Sequence, residues 1–185
     1  MNFDRDTLEK LQKWESVQPG FCRDDQKSVR EYIEPFIDYM NSKPKYQAQV
    51  YEYGGLSNHY EIFIIKDRSN PIIQKIKRTK YNIYEGTLVY INLSMPVYVL
   101  GRSRHFVYNG GMSWGTIEKP EDVLNEIEFS DLENKINEYF KKTPYILLSK
   151  EEVSQKLPDD IVPWEYYVGP EPWDKLFHLL FSSSD

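Results

Sequence analysis

From Tyr46 onward the spacing of apolar residues in this chain changes from three or four to two, and near Ser130 it changes back. Alternation in "YQAQVYEY" puts Tyr46, Ala48 and Val50 on one face and the glutamines on the other, the mark of a half-buried strand. "GGLSN" supplies turn chemistry before "HYEIFIIK", so residues 46 to 66 predict a hairpin. "RSNP" makes another turn ahead of "IIQKIKR", and after "YEG" come "TLVYINLSMPVYVLG" and "HFVYNGGMSWG". Pro96 has no N–H to give to a ladder, which places it at an edge, a bulge or the bend between two strands. Five or six strands joined by short turns form an antiparallel sheet.

Helical spacing flanks this stretch. Asp6 with Glu9 reads as a capping box opening a helix over about 6 to 15, with Leu8, Leu11 and Trp14 on one side. After "QPGF", Asp24 caps a second helix in which Val29, Ile33, Phe36, Ile37 and Met40 form a core-facing stripe. Pro35 sits inside that stripe and must kink or split the helix. Ser130 with Glu133 and Ser149 with Glu152 make two further capping boxes, the first ahead of Leu132, Ile136, Tyr139 and Phe140. "TPYILLS" between them is a last strand or a buried connector. The order of elements predicts one α+β domain over 1–185, with helices packed on one face of the sheet.

The closing stretch "EPWDKLFHLLFSSSD" holds Trp173, Leu176, Phe177, Leu179, Leu180 and Phe181. Trp173, Leu176, Phe177 and Leu180 share one helical stripe, so this segment is expected to dock on the domain. The chain of 185 residues is long enough to bury such a core without disulfides or metal. Its single cysteine, Cys22, fits a reducing compartment and reads as a small buried apolar residue rather than a nucleophile. No apolar run reaches membrane-spanning length and the N-terminus is not patterned as a signal peptide, so a cytoplasmic protein is expected. A net charge of −6 argues against nucleic acid as the partner, since phosphate affinity comes from clustered Lys and Arg. The basic run "QKIKRTK" at 74–80 reads as a charged edge or loop. Fifteen tyrosines suit half-buried sheets and interfaces.

Chemistry-bearing patterns are sparse. His59, His105 and His178 are far apart and lack a second ligand at metal-site spacing. His178 belongs to a core helix, and His105, behind Arg102 and Arg104, reads as an exposed turn residue. "NGGMSWG" at 109–115 is glycine-dense enough to cradle a phosphate, but no lysine follows it. A strand connection with Trp114 laid over the sheet is the simpler account. Most acidic pairs fall in predicted first turns, where they complement the helix dipole. Asp159 and Asp160 do not. They share a proline-rich loop with Trp164, Glu165, Tyr166 and Tyr167, an acidic and aromatic set suited to a partner's basic cleft.

Over roughly residues 85 to 185, "TLVYINLSMPVYVLG", "NGGMSWG" and "WDKLFHLLFSSSD" together resemble immunity proteins of bacterial polymorphic toxin systems. The resemblance implies a compact, acidic, cytoplasmic α+β domain that binds and blocks a cognate protein toxin without enzymatic activity or cofactor. It transfers no functional residue. The contrasting expectation is a small hydrolase or nucleotide-binding enzyme using residues 109–115, or a structural subunit of an assembly.

Overall fold

The computed structural model describes residues 3–24, 27–51, 57–109, 111–163 and 171–182. Among these residues seven strands form one sheet: β1 Gln47–Tyr51, β2 His59–Ile65, β3 Ile72–Ile76, β4 Thr79–Asn92, β5 Val97–Tyr108, β6 Gly111–Trp114 and β7 Ile146–Leu147. The path β1-β2-β4-β5-β6 is antiparallel throughout. β3 joins β4 beyond the end of β2, and β7 adds two residues parallel to β5. The α+β class and the antiparallel sheet are therefore as expected, with a short parallel strand raising the count.

The long β4–β5 hairpin is the spine. Its turn is an Asx turn in which Asn92 Oδ1 accepts from the amides of Ser94 and Met95, both at 2.9 Å. Pro96 sits in that turn, where its missing N–H is harmless.

Both faces of the sheet are covered, which corrects the expectation of helices on one face. Phe63, Ile65, Leu88, Tyr90, Val97 and Val99 point into a core closed by α1 (Arg5–Gln12), α4 (Lys150–Val153) and α5 (Leu176–Leu180). Their neighbours Ile62, Ile64, Val89, Ile91, Tyr98 and Leu100 point the other way, against α2 (Glu34–Asn41) and α3 (Asp131–Phe140). Consecutive apolar residues in β4 and β5 are the direct cause, because a strand with one wet face alternates instead.

Helix boundaries differ from expectation where a competing residue wins. Asp4, rather than Asp6, caps α1, accepting from the Thr7 amide at 2.9 Å, while Asp6 pairs with Lys10 at 2.7 Å. Trp14, at φ +55, lies just past its end. The second helical region is described from Lys27 onward, the residues directly after Asp24 lying outside the described ones. It runs through a π-helical turn, Val29–Ile33, and becomes α-helical at Glu34, one residue before Pro35. Pro35 thus falls in the first turn of α2, where its missing donor costs nothing. Both later capping boxes form as expected, at Ser130 with Glu133 and at Ser149 with Glu152.

The closing segment docks on the domain through α5. All five of its residues are buried, with Phe181 beyond them, and Trp173 packs partly buried against the same core. The helix is enclosed all round, not along one stripe alone. Its last carbonyls would be costly orphans there. Asn58 Nδ2 donates to Leu179 O at 2.9 Å and Asn92 Nδ2 to Leu180 O at 2.5 Å. At the other end, Leu157 N donates to Asp174 O at 2.8 Å and Leu176 N to Gln155 O at 2.9 Å.

Candidate functional site

The acidic loop after α4 is anchored by Leu157 and Ile161, both in the core, so Asp159 and Asp160 are held outward between two fixed points. Each has a cationic neighbour. Asp160 pairs with Arg5 of α1, whose hydrogen bond holds its carboxyl below the usual range, and Asp159 lies 3.4 Å from Lys156. Such exposed pairs leave the carboxylates accessible, because they are readily exchanged. Trp164, Glu165, Tyr166 and Tyr167 lie outside the described residues. A second acidic element adjoins α4. The turn Glu126–Glu128 is capped by Asn125, whose Oδ1 accepts from Lys150 N at 3.2 Å and whose Nδ2 donates to Glu151 Oε1 at 3.3 Å. Between its two glutamates Ile127 is 94% exposed.

Of residues 109–115, Gly111–Trp114 form β6 and pair antiparallel with the end of β5, Tyr108 opposite Gly111 and His105 opposite Trp114, and Gly110 lies outside the described residues. The Trp114 ring stacks on Phe63 at 6.0 Å and meets His105 edge-on at 5.2 Å. The described part of this glycine-dense stretch is therefore strand, with Trp114 laid over the sheet. His105 is not the exposed turn residue expected from its neighbours. Arg102 and Arg104 occupy one face of β5, so the next residue turns to the other face, under Trp114, and is fully buried. Neither of its ring nitrogens has a hydrogen-bond partner, and burial lowers its pKa.

Glu61 shares that buried layer. Trp114 Nε1 and the Tyr90 hydroxyl donate to it, but its second oxygen has no partner, and desolvation raises its pKa despite those bonds. His59 is also enclosed, with Nδ1 2.8 Å from Ser57 Oγ and its ring 4.6 Å from that of Tyr90. His178 is buried as expected, its Nδ1 accepting from Lys175 N at 3.2 Å. Burial lowers both His59 and His178 to about 4. These groups are sealed by aromatic rings rather than presented to a substrate. Among the described residues no cluster of His, Cys, Asp or Glu is arranged to hold a metal ion, and no helix is long and apolar enough to cross a membrane. Cys22 is partly exposed, not buried as expected.

A cleft of about 410 Å³ opens where α3 stops covering the sheet. Register places Lys66 beside the row Glu85–Arg104, and the next row inward pairs Thr87 with Arg102. Glu133 reaches down from α3. It accepts from Thr87 Oγ1 at 2.7 Å, from Ser130 N at 2.7 Å and from Ser130 Oγ, and Arg102 lies 3.7 Å away. Burial opposes ionisation of Glu133, but these donors outweigh it and its pKa falls. A carboxylate so fully bonded is a fastener between helix and sheet, not a free base. Arg104 is likewise opposed by Glu85, at 3.6 Å.

Charge is sharply divided along the chain. Residues 66–108 carry eight Lys and Arg against two Asp and Glu, leaving fifteen against twenty-seven elsewhere, so a segment of +6 sits in a remainder of −12. The overall value of −6 conceals this division, which a count of charge by segment brings out as a basic sheet end. Comparison with protein-family models, curated proteins and solved structures finds no match.

Proposed function

We propose that this chain is a non-catalytic bacterial binding domain that acts as an immunity protein, blocking a cognate toxin in the cytoplasm. The observation that carries the reading is the −12 charge outside residues 66–108, set around exposed apolar residues. Ile127 stands between Glu126 and Glu128, and exposed Val162 follows Asp159 and Asp160. An apolar anchor ringed by acids suits a basic cleft, since the ring steers encounter and the anchor supplies contact area. Trp164, Glu165, Tyr166 and Tyr167, next in the sequence, complete the acidic and aromatic set proposed to meet the toxin. The sealed state of Glu61 and His105 and the fastening role of Glu133 favour binding over catalysis.

The test is co-expression with the toxin domain encoded by the neighbouring gene, scored by cell survival and by co-elution on size exclusion. Rescue with a stable complex is expected. Trp164→Ala or Tyr166→Ala should weaken the complex by about 2 kcal/mol or more, and neutralising Asp159 with Asp160 should chiefly slow association. Absence of both rescue and complex would remove the immunity reading.

A further inference from the structure

Past the row Lys66–Glu85–Arg104 the sheet continues without helices among the described residues. β3, the start of β4, the end of β5 and β6 form a ribbon whose registers set Ile72, Ile83 and Phe106 in one row and Gln74, Tyr81 and Tyr108 in the next. Every residue of β3 is exposed, including Ile72 at 50%, Ile73 at 63% and Ile76 at 46%. Among the described residues β3 pairs with β4 alone, so its outer edge offers unpaired backbone donors and acceptors. An open edge with three exposed isoleucines is a feature that folded chains normally cover or break.

We propose that β3 is the docking edge for an extended acidic segment of a partner protein, which adds to the sheet as a further strand. Charge selects the partner. Arg68, Lys75, Lys77, Arg78 and Lys80 surround the strand, within the segment that carries +6. Two copies of this chain joined edge to edge through β3 would bring these cations together, which disfavours self-pairing. A nucleic acid would use the cations but not the branched aliphatic side chains or the open backbone edge, for base recognition relies on flat ring faces. Strand addition uses all three features.

The edge also specifies the pattern of the segment. Ile72, Gln74 and Ile76 lie on one face of β3 and Ile73 and Lys75 on the other, so apolar residues of the incoming strand fall beside Ile72 and Ile76 and acidic ones beside Lys75. A cleft of about 260 Å³ next to Ile72, lined also by Ile83, Lys45 and Lys66, receives one flanking side chain. This surface is separate in sequence and opposite in charge from the acidic one proposed to meet a toxin.

The test uses the full chain and a capped peptide of alternating valine and glutamate, about eight residues long to match an ordinary strand. Expected are shifts of the β3 amide resonances and slowed exchange of β3 amides on addition of the peptide. N-methylation of alternate peptide amides should abolish both, and Lys75→Glu with Lys77→Glu should weaken binding about tenfold or more in low salt. Ile72→Ser with Ile76→Ser, at residues about half exposed, should weaken it with only a small change in the thermal midpoint. No response at millimolar peptide, or undiminished binding of the N-methylated peptide, overturns the proposal. So does poly-uridylate shifting the β3 amides where the peptide does not, which assigns the surface to nucleic acid. A concentration-dependent dimer abolished by Ile72→Ser with Ile76→Ser assigns it to a second copy and likewise overturns it.

Discussion

The two ends of the β4–β5 hairpin are built from the same pair of strands and do opposite things. At the inner end Leu88, Val89, Tyr90 and Ile91 run opposite Gly101, Leu100, Val99 and Tyr98, and both faces are covered by helices. At the outer end Tyr81, Phe106, Val107 and Tyr108 are half-exposed, β3 is bare, and cations crowd the turn at Lys77 and Arg78. Continuous apolar sequence marks the buried end, whereas apolar residues mixed with cations mark the projecting one. Stability should therefore respond steeply to change at the inner end and hardly at all at the outer end, where any effect should appear in binding.

The largest effect is expected at α5. Phe177 is fully buried against Phe181, with ring centroids 5.3 Å apart, and Phe177→Ala leaves a void that the enclosed helix cannot collapse into. The expected loss is about 3 to 5 kcal/mol in denaturant unfolding. Removing 171–185 altogether should leave a chain that unfolds or aggregates.

Next in size is the response to acid, which also belongs to the inner end. His59 and His178 have folded pKa values of about 4 against an ordinary 6.5. The unfolded chain then takes up their protons first, so stability is full above pH 6.5 and declines as the pH falls toward 4. Each group contributes up to about 3 kcal/mol of that decline. Chemical denaturation at pH 7, 5.5 and 4 measures it, and a midpoint unchanged between pH 7 and 5 would contradict neutral burial of both rings.

Two buried carboxylates sharpen the comparison by opposite signs. Glu133 has its donors and a lowered pKa, so its contribution is present above its ordinary pKa and is lost as pH falls through the folded value. Glu133→Gln should cost about 1 to 3 kcal/mol. Glu61 lacks a partner for one oxygen and has a raised pKa, so its ionisation penalises the fold at neutral pH. Glu61→Gln keeps an acceptor for Trp114 and should be neutral or stabilising by about 1 kcal/mol at pH 7, with the gain vanishing in acid.

What the amino-acid sequence makes legible follows the same contrast. Hairpins, capping boxes and the docked closing segment rest on local pattern, and they form where Ser130, Ser149 and the 46–66 alternation place them. Coverage of both sheet faces is also written in the unbroken apolar runs of β4 and β5, although the order of elements points to helices on one face only. His105 departs from expectation because charged neighbours suggest exposure, while strand geometry sends adjacent residues to opposite faces. Glu61, Glu133 and the 410 Å³ cleft depend on strands and helices brought together from distant positions, which no local spacing displays. Asp159 and Asp160 lie exposed as their loop setting suggests, and their partners Lys156 and Arg5 illustrate the same divide: one is three residues away, the other is on α1.

The smallest effect expected on folding is at Ile73, and it is the most informative about the outer end. Its side chain stands 63% exposed on a strand that no helix covers among the described residues, so Ile73→Thr removes little buried area and keeps a branched residue suited to a strand. The change in unfolding free energy should stay within about 0.5 kcal/mol. Solubility and aggregation should change more, since an apolar residue leaves an open edge. A loss of stability as large as that of a core substitution would mean that β3 is packed after all, and the division of the hairpin into a supporting end and a presenting end would fail. Unchanged stability together with slower aggregation would locate the exposed hydrophobicity of β3 in interaction rather than in the fold.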